Sequence, residues 1–226
     1  MGAMSDYLEQ KFLDEVLNIV AFAGPQNWVA LYTAALSDAG GGTEVTGGAY
    51  ARQRVFENAS ASTPKWALAV TQGAGSHLGY LVDNIQDIAF PVATANWGLI
   101  VAWAIWDAVT AGNLLFWGWL SQTVKLFTAD AADVTADTLT SPAHGFINTN
   151  RVIVRGGTLP TGLTADTKYF VVGAAADTFQ LSLTEGGAAI NITAVGQGEA
   201  WNVEEKLVNI NDQFKFLAGQ LDVIAR

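Results

Sequence analysis

At 226 residues, half of them hydrophobic and only 14% charged, the chain can bury a large core in one domain or two. Its 11 basic residues are scattered among 21 acidic ones, for a net charge of −10, which excludes the clustered cationic surface that nucleic-acid binding needs. There is no cysteine, so disulfides and thiolate metal sites are excluded too.

In chain order, Asp6 to Phe22 reads as a helix. Leu8, Phe12, Val16, Ile19 and Val20 recur at three- and four-residue steps, Ser5 or Asp6 can cap the start, and Gly24-Pro25 ends it. Strands follow: "WVALYTA", "YARQRVF", "WALAVTQ", "DNIQDIAF", "GLIVAWAIW" and "LLFWGWL". The last two flank the turn-forming Asp107 to Asn113 and predict a hairpin. If Trp106 faces Leu114, then Trp103 lies opposite Trp117, sharing a face with Ile105 and Leu115, while Ala104 and Phe116 share the other. Both faces are apolar, so both should be covered. The apolar stretch Trp97 to Leu120 is split by Asp107, Gly112 and Asn113 into runs too short to span a membrane as helices. The start of the chain has no basic region followed by an apolar one, so no signal peptide is expected.

Composition shifts near residue 123. From there to 204 the strands are shorter and more polar ("RVIVRGG", "KYFVVGA", "TFQLSLT", "INITAV"), and of eight tryptophans only Trp201 lies here. The expected organisation is a host β-domain, 1–122 with 205–226, interrupted by a small β-module at 123–204. The fold class is mainly β: an N-terminal helix, a sandwich or jelly-roll-like host, and a small immunoglobulin-like insert. Between Trp66 and Val124 there are 59 residues without Lys or Arg. Such a run suits a subunit interface or a large sandwich core, and Trp97, Trp103, Trp106, Trp117 and Trp119 are the candidate core or interface residues.

No catalytic constellation emerges. "GGGTEVTGGAYARQRV" has five glycines, but no Lys follows as a P-loop requires, and a strand follows where a dinucleotide fingerprint needs a helix. It reads as a long loop of positive-φ positions. Asp83 and Asp87 as a carboxylate pair are better explained as solvated strand ends. Asp130, Asp133 and Asp137 lack the spacing, glycine and closing Glu of a calcium loop, so exposed linker acids are expected. His77 and His144 have no partner spacing, and no nucleophile elbow is present. Asn58 and Asn191 match the glycosylation sequon but are discounted without a secretion signal. No enzyme activity, cofactor or metal is expected.

Three blocks occur in order: "WVALYTAALSDAGGGTEVTGGAYARQRVFENAS", "IAFPVATANWGLIVAWAIWDAVTAGNLLFWGWL" and "KLVNINDQFKFLAGQLDVIA". Together they resemble a family of small tailed-phage virion proteins, often labelled tail-fibre proteins, and cover most of the host domain. The chain departs from that pattern in its four hairpin tryptophans and its insert. The insert, with "DTLTSPAHGF", "VRGGTLPTGL" and "TKYFVVGAAADTFQLSLT", resembles immunoglobulin-like modules that decorate phage structural proteins. The resemblance implies a virion protein made in the bacterial host cytoplasm. Its implied role is a capsid decoration or cement protein, packed as a homo-oligomer, by preference a trimer, against the major capsid protein or other virion proteins, with the insert projecting. The alternative is a tail-fibre or receptor-binding module that meets a host-surface glycan. Neither nucleic acid nor membrane is an expected partner.

Overall fold

The computed structural model describes residues 2–71 and 80–225. In chain order the elements are β1 (Gly2–Met4), α1 (Asp6–Val16), β2 (Asn27–Ala34), β3 (Thr43–Glu44), β4 (Gln53–Val55), β5 (Val70–Thr71), β6 (Tyr80–Val82), β7 (Ile88–Val92), β8 (Gly98–Ile100), β9 (Ala102–Trp106) and β10 (Leu114–Trp119). Then come β11 (Ser121–Ala129), α2 (Ala131–Ala136), β12 (Leu139–Thr140), β13 (Arg151–Arg155), β14 (Lys168–Val172), β15 (Thr178–Ser182) and β16 (Gly196–Val203). The last three are β17 (Lys206–Val208), β18 (Gln213–Phe216) and β19 (Val223–Ala225). The protein is mainly β, with a short N-terminal helix. It divides into two compact units, Met1–Leu120 with Glu205–Arg226, and Ser121–Glu204.

The first unit is a sandwich. Its main sheet runs β1-β10-β9-β2-β3, with β4 also on β2; β17-β8, β18-β7 and β19-β6-β5 form the smaller sheets. Alternation along β2 and β9 sends Val29, Leu31, Trp103 and Ile105 to the inner face, where they join Ile88, Phe90, Val208, Phe214 and Phe216 in one buried cluster. Tyr50 stacks on Phe90 and meets Trp97 edge-on, and Phe90 meets Phe214 edge-on, the arrangements that ring quadrupoles favour. The alternating residues Ala30, Tyr32, Ala102 and Ala104 point to the other face and are buried there with Leu36 and Trp117. Both faces of the main sheet are therefore covered, and much of the cation-free run from residue 66 to 124 is core.

The hairpin register departs from the sequence expectation by one residue. Leu114 pairs with Trp106 as expected, but a bulge follows, so that Phe116 pairs with Ile105, Trp117 with Ala104 and Gly118 with Trp103. Leu115 is the extra residue, and Leu115 and Phe116 both turn to the inner face. Trp103 and Trp117 consequently lie on opposite faces of the sheet rather than facing each other.

Helix α1 also ends early. Ser5 caps it, accepting from the Leu8 N–H at 3.2 Å, but it stops at Val16 rather than Phe22. Asn18 adopts the left-handed conformation, φ 55°, with Asn18 N–H bonded to Glu15 O and Ile19 N–H to Asp14 O. That is the Schellman stop, and asparagine is one of the few non-glycine residues that tolerate it.

The second unit is a closed antiparallel barrel, β11-β12-β15-β14-β13-β16, around Phe127, Val152, Val154, Tyr169, Val171 and Phe179. An immunoglobulin-like module would have two open sheets, so the expectation is corrected on this point. Closure comes from β16, which pairs with both β11 and β13 and leaves no free edge. Its first and last strands are ladder partners, Ser121 opposite Val203. Within the first unit the corresponding ends are also adjacent: Leu120 N–H bonds Val101 O, and Lys206 pairs with Ile100.

Candidate functional site: an assembly surface

The glycine-rich loop is built of left-handed turns on either side of β3. Gly40, Gly41, Gly42, Gly47 and Gly48 all have positive φ, as expected of a long turn. At Gly48 a side chain is also excluded by space: a Cβ would come within 2.9 Å of the Trp97 indole nitrogen. That nitrogen donates to Gly48 O at 2.9 Å, so the glycine allows the bond that fixes Trp97 in the core.

The arginine that follows the loop is internally committed. Arg52 Nε and Nη2 donate to Glu44 Oε1 and Oε2 at 2.8 and 2.7 Å, a bidentate pair. Its Nη1 donates to Ala108 O and Ala111 O, both at 2.9 Å, and its guanidinium lies 4.5 Å from the Trp106 ring centroid. Thus Glu44 in the loop, Arg52 beside β4 and the 107–113 hairpin tip form one polar lock. Asp107 closes the tip by accepting from the Asn113 backbone and side chain, each at 2.7 Å. Tyr50 OH donates to Glu44 Oε1 at 3.0 Å and accepts from Leu31 N–H. Burial, reinforced by the Glu44 charge, pushes the Tyr32 phenol well above its ordinary range; burial does the same to Tyr50. For Arg52, burial works against the charge, but the Glu44 hydrogen bonds and carboxylate outweigh it and hold the guanidinium pKa above its usual value. Sequence reasoning missed this lock; the signal was the opposite charges of Glu44, within the loop, and Arg52, just after it.

The five tryptophans named from the sequence do not form one cluster. Trp97 and Trp103 are buried in the sandwich core. Trp117 is buried on the other face, its indole N–H donating to Asp38 at 2.8 Å, with Trp106 and Trp119 packed beside it and partly exposed. Only Trp106 and Trp119 of the five retain substantial surface.

The ionisable candidates are structural. Asp87 accepts from Lys215 Nζ at 3.1 Å and Ala218 N–H at 3.0 Å, which lowers its pKa, and it is not paired with Asp83. The carboxylate that feels Asp83 is Asp222: burial first, then the Asp83 charge, pushes its pKa up. Asp130, Asp133 and Asp137 are not merely exposed linker acids. Asp130 and Asp133 form a capping box for α2; Asp133 is buried and accepts from Thr138 and Thr140 hydroxyls at 2.9 Å; Asp137 is the left-handed C-cap and accepts from Ile192 N–H. His144 is buried against Phe146 and Phe179, its Nδ1 accepting from Phe146 N–H while Nε2 faces Thr178 O at 3.2 Å, so the Nε2–H tautomer satisfies both contacts. His77 lies outside the described residues. Asn58 spends its amide on Trp66 O. Among the described residues no group of three or more acidic or histidine side chains could hold a metal, and no helix is long and apolar enough to cross a membrane.

One surface stands out by its lack of cover. Only the first turn of α1 docks, Tyr7 and Leu8 packing on the core. Beyond them Phe12, Leu13, Val16, Leu17, Ile19 and Val20 remain 53–65% exposed. Large apolar side chains so closely grouped are a mark of an interaction surface.

Comparison with curated proteins gives no match. A family model described as Podophage GP4 fiber I protein gp80 matches residues 3–142. This stretch contains the first two of the three resemblance blocks and stops before the third. Because it spans more than half of the chain, the protein belongs to that fibre-protein family and is a component of the phage virion.

Proposed function

We propose that this chain is a non-enzymatic structural subunit of a virion fibre, assembled as a homo-oligomer. The family match over residues 3–142 carries this reading. Two observations from the geometry support it. Glu44, Asp130, Asp133, Asp137 and His144 are tied into caps, turns or the Glu44–Arg52 lock, Asp87 is paired with Lys215, and α1 offers an uncovered apolar face. A second reading, capsid decoration by the same oligomer, is favoured by the first unit's having a sandwich core of its own instead of a repeating shaft. Copy number separates the two. Quantitative mass spectrometry of purified particles, with antibody labelling in electron micrographs, is expected to find few copies, all at the tail. Hundreds of copies over the shell would establish decoration instead, and absence from particles would overturn both.

A further inference from the structure

We infer that the overhanging half of α1 and the turn after it form the contact between copies of this chain. The inference rests on the homo-oligomer reading and gives it a location.

The helix is divided along its length. Ser5 anchors it to β10, through Ser5 N–H to Leu115 O and the Ser5 hydroxyl to Leu114 O, and Asp6 N–H bonds Asp38 O. Tyr7 and Leu8 reach the core, but no residue of the helix itself is buried. A helix that short does not persist in water on propensity alone; it needs packing. Here the apolar packing supplied by the chain's own fold ends with Leu8, in the first turn.

The uncovered part has the pattern of an interface. Phe12, Leu13, Val16 and Leu17 fall within about 140° of the helix circumference, and Lys11, Asp14 and Glu15 lie outside that arc. Ile19 and Val20 extend the apolar surface past the Schellman stop. Six side chains at 53–65% exposure present on the order of 600 Å². Two such faces together approach the 1,200 Å² or so at which stable interfaces begin.

Charge selects the occupant. The protein carries −10, so two copies repel unless their contact avoids acidic groups. From Phe12 onward this face has no charged residue within it, which is what self-association of an acidic chain requires. A basic partner would be met by the carboxylates of Asp14 and Glu15, and these lie off the face. An anionic lipid surface finds no cationic rim either, because Lys11 is the helix's single basic residue.

The chain's lack of cysteine makes the test direct. In the intact 226-residue chain, sedimentation velocity across micromolar concentrations should show an oligomer. Val16→Asp should raise its dissociation constant at least tenfold while leaving the circular dichroism spectrum unchanged. Leu126→Asp, an exposed change in the second unit, should leave assembly as it is. Leu17→Cys should form disulfide-linked pairs on mild oxidation, well above a Leu183→Cys control. An oligomer indifferent to Val16→Asp, or cross-linking no better than the control, would overturn the inference while leaving the fibre role standing. A monomer throughout would overturn both this contact and the homo-oligomer reading. Binding of the wild type to anionic lipid vesicles that Val16→Asp abolishes, without self-association, would reassign the face to a membrane.

Discussion

Replacing Arg52 with alanine removes two charge-assisted bonds to Glu44, two bonds to the hairpin-tip carbonyls and the stacking on Trp106. What remains is a Glu44 carboxylate whose side chain is only 24% exposed, with Tyr50 as its close donor. Breaking a buried pair from one side costs roughly 3–5 kcal/mol. The Tyr50 hydroxyl and the residual solvent contact of Glu44 place the expected loss near the lower end, about 3 kcal/mol, or roughly 10 °C in the melting of the first unit. Arg52→Lys should recover less than half, because an ammonium cannot reproduce the fork. Urea unfolding followed by tryptophan fluorescence reads this unit, since seven of the eight tryptophans lie in it. The decisive comparison is Glu44→Gln in two backgrounds. With Arg52 present it should destabilise; with Arg52→Ala it should stabilise, because it neutralises a stranded charge. An Arg52→Ala loss under about 1 kcal/mol, or the same sign for Glu44→Gln in both backgrounds, would refute the lock.

Asp222 has a raised carboxyl pKa, so the folded state binds this proton more tightly than the unfolded one: its stabilising contribution is full below the ordinary carboxylate range and lost as pH rises through the raised value. Asp222→Asn should therefore raise the melting temperature slightly at neutral pH, by roughly 1–3 °C because solvent screens the group, and change nothing at about pH 3. Removing Ser121–Glu204 and joining Leu120 to Glu205 through a short Gly/Ser bridge should leave a folded first unit, seen as retained near-ultraviolet dichroism; an unfolded product with several bridge lengths would mean that the segment belongs to the first unit's core.

The features legible in the sequence are those set by side-chain period. The Ser5 cap and the Asp107–Asn113 hairpin turn are local patterns, and each appears where it was read. Features set by long-range packing of the backbone were not legible. Gly198 in β16 illustrates why: glycines weaken a strand pattern, yet a Cβ there would come within 2.9 Å of Arg155 O and 2.7 Å of Leu159, so β16 runs this close to its neighbours because position 198 carries no side chain. The short α2 helix was hidden because its acids look like a solvated linker until Asp133 is seen buried under two threonine hydroxyls. The uncovered half of α1 was read as ordinary helix periodicity. Periodicity tells which residues share a face, and nothing about whether the same chain supplies the cover.

The Leu115 bulge has a consequence for how this strand can vary. Side chains in a ladder obey parity: each residue added or lost exchanges the two faces for everything beyond it. The first unit cannot absorb such an exchange, because Trp117 must reach Asp38 on one face while Phe116 packs into the core on the other. By taking Leu115 and Phe116 to the same side, the bulge absorbs one odd residue and restores the phase before Trp117. Length changes in β10 are thus expected to come in twos everywhere except at residue 115, the single position where the count can change by one and the bulge disappears with it.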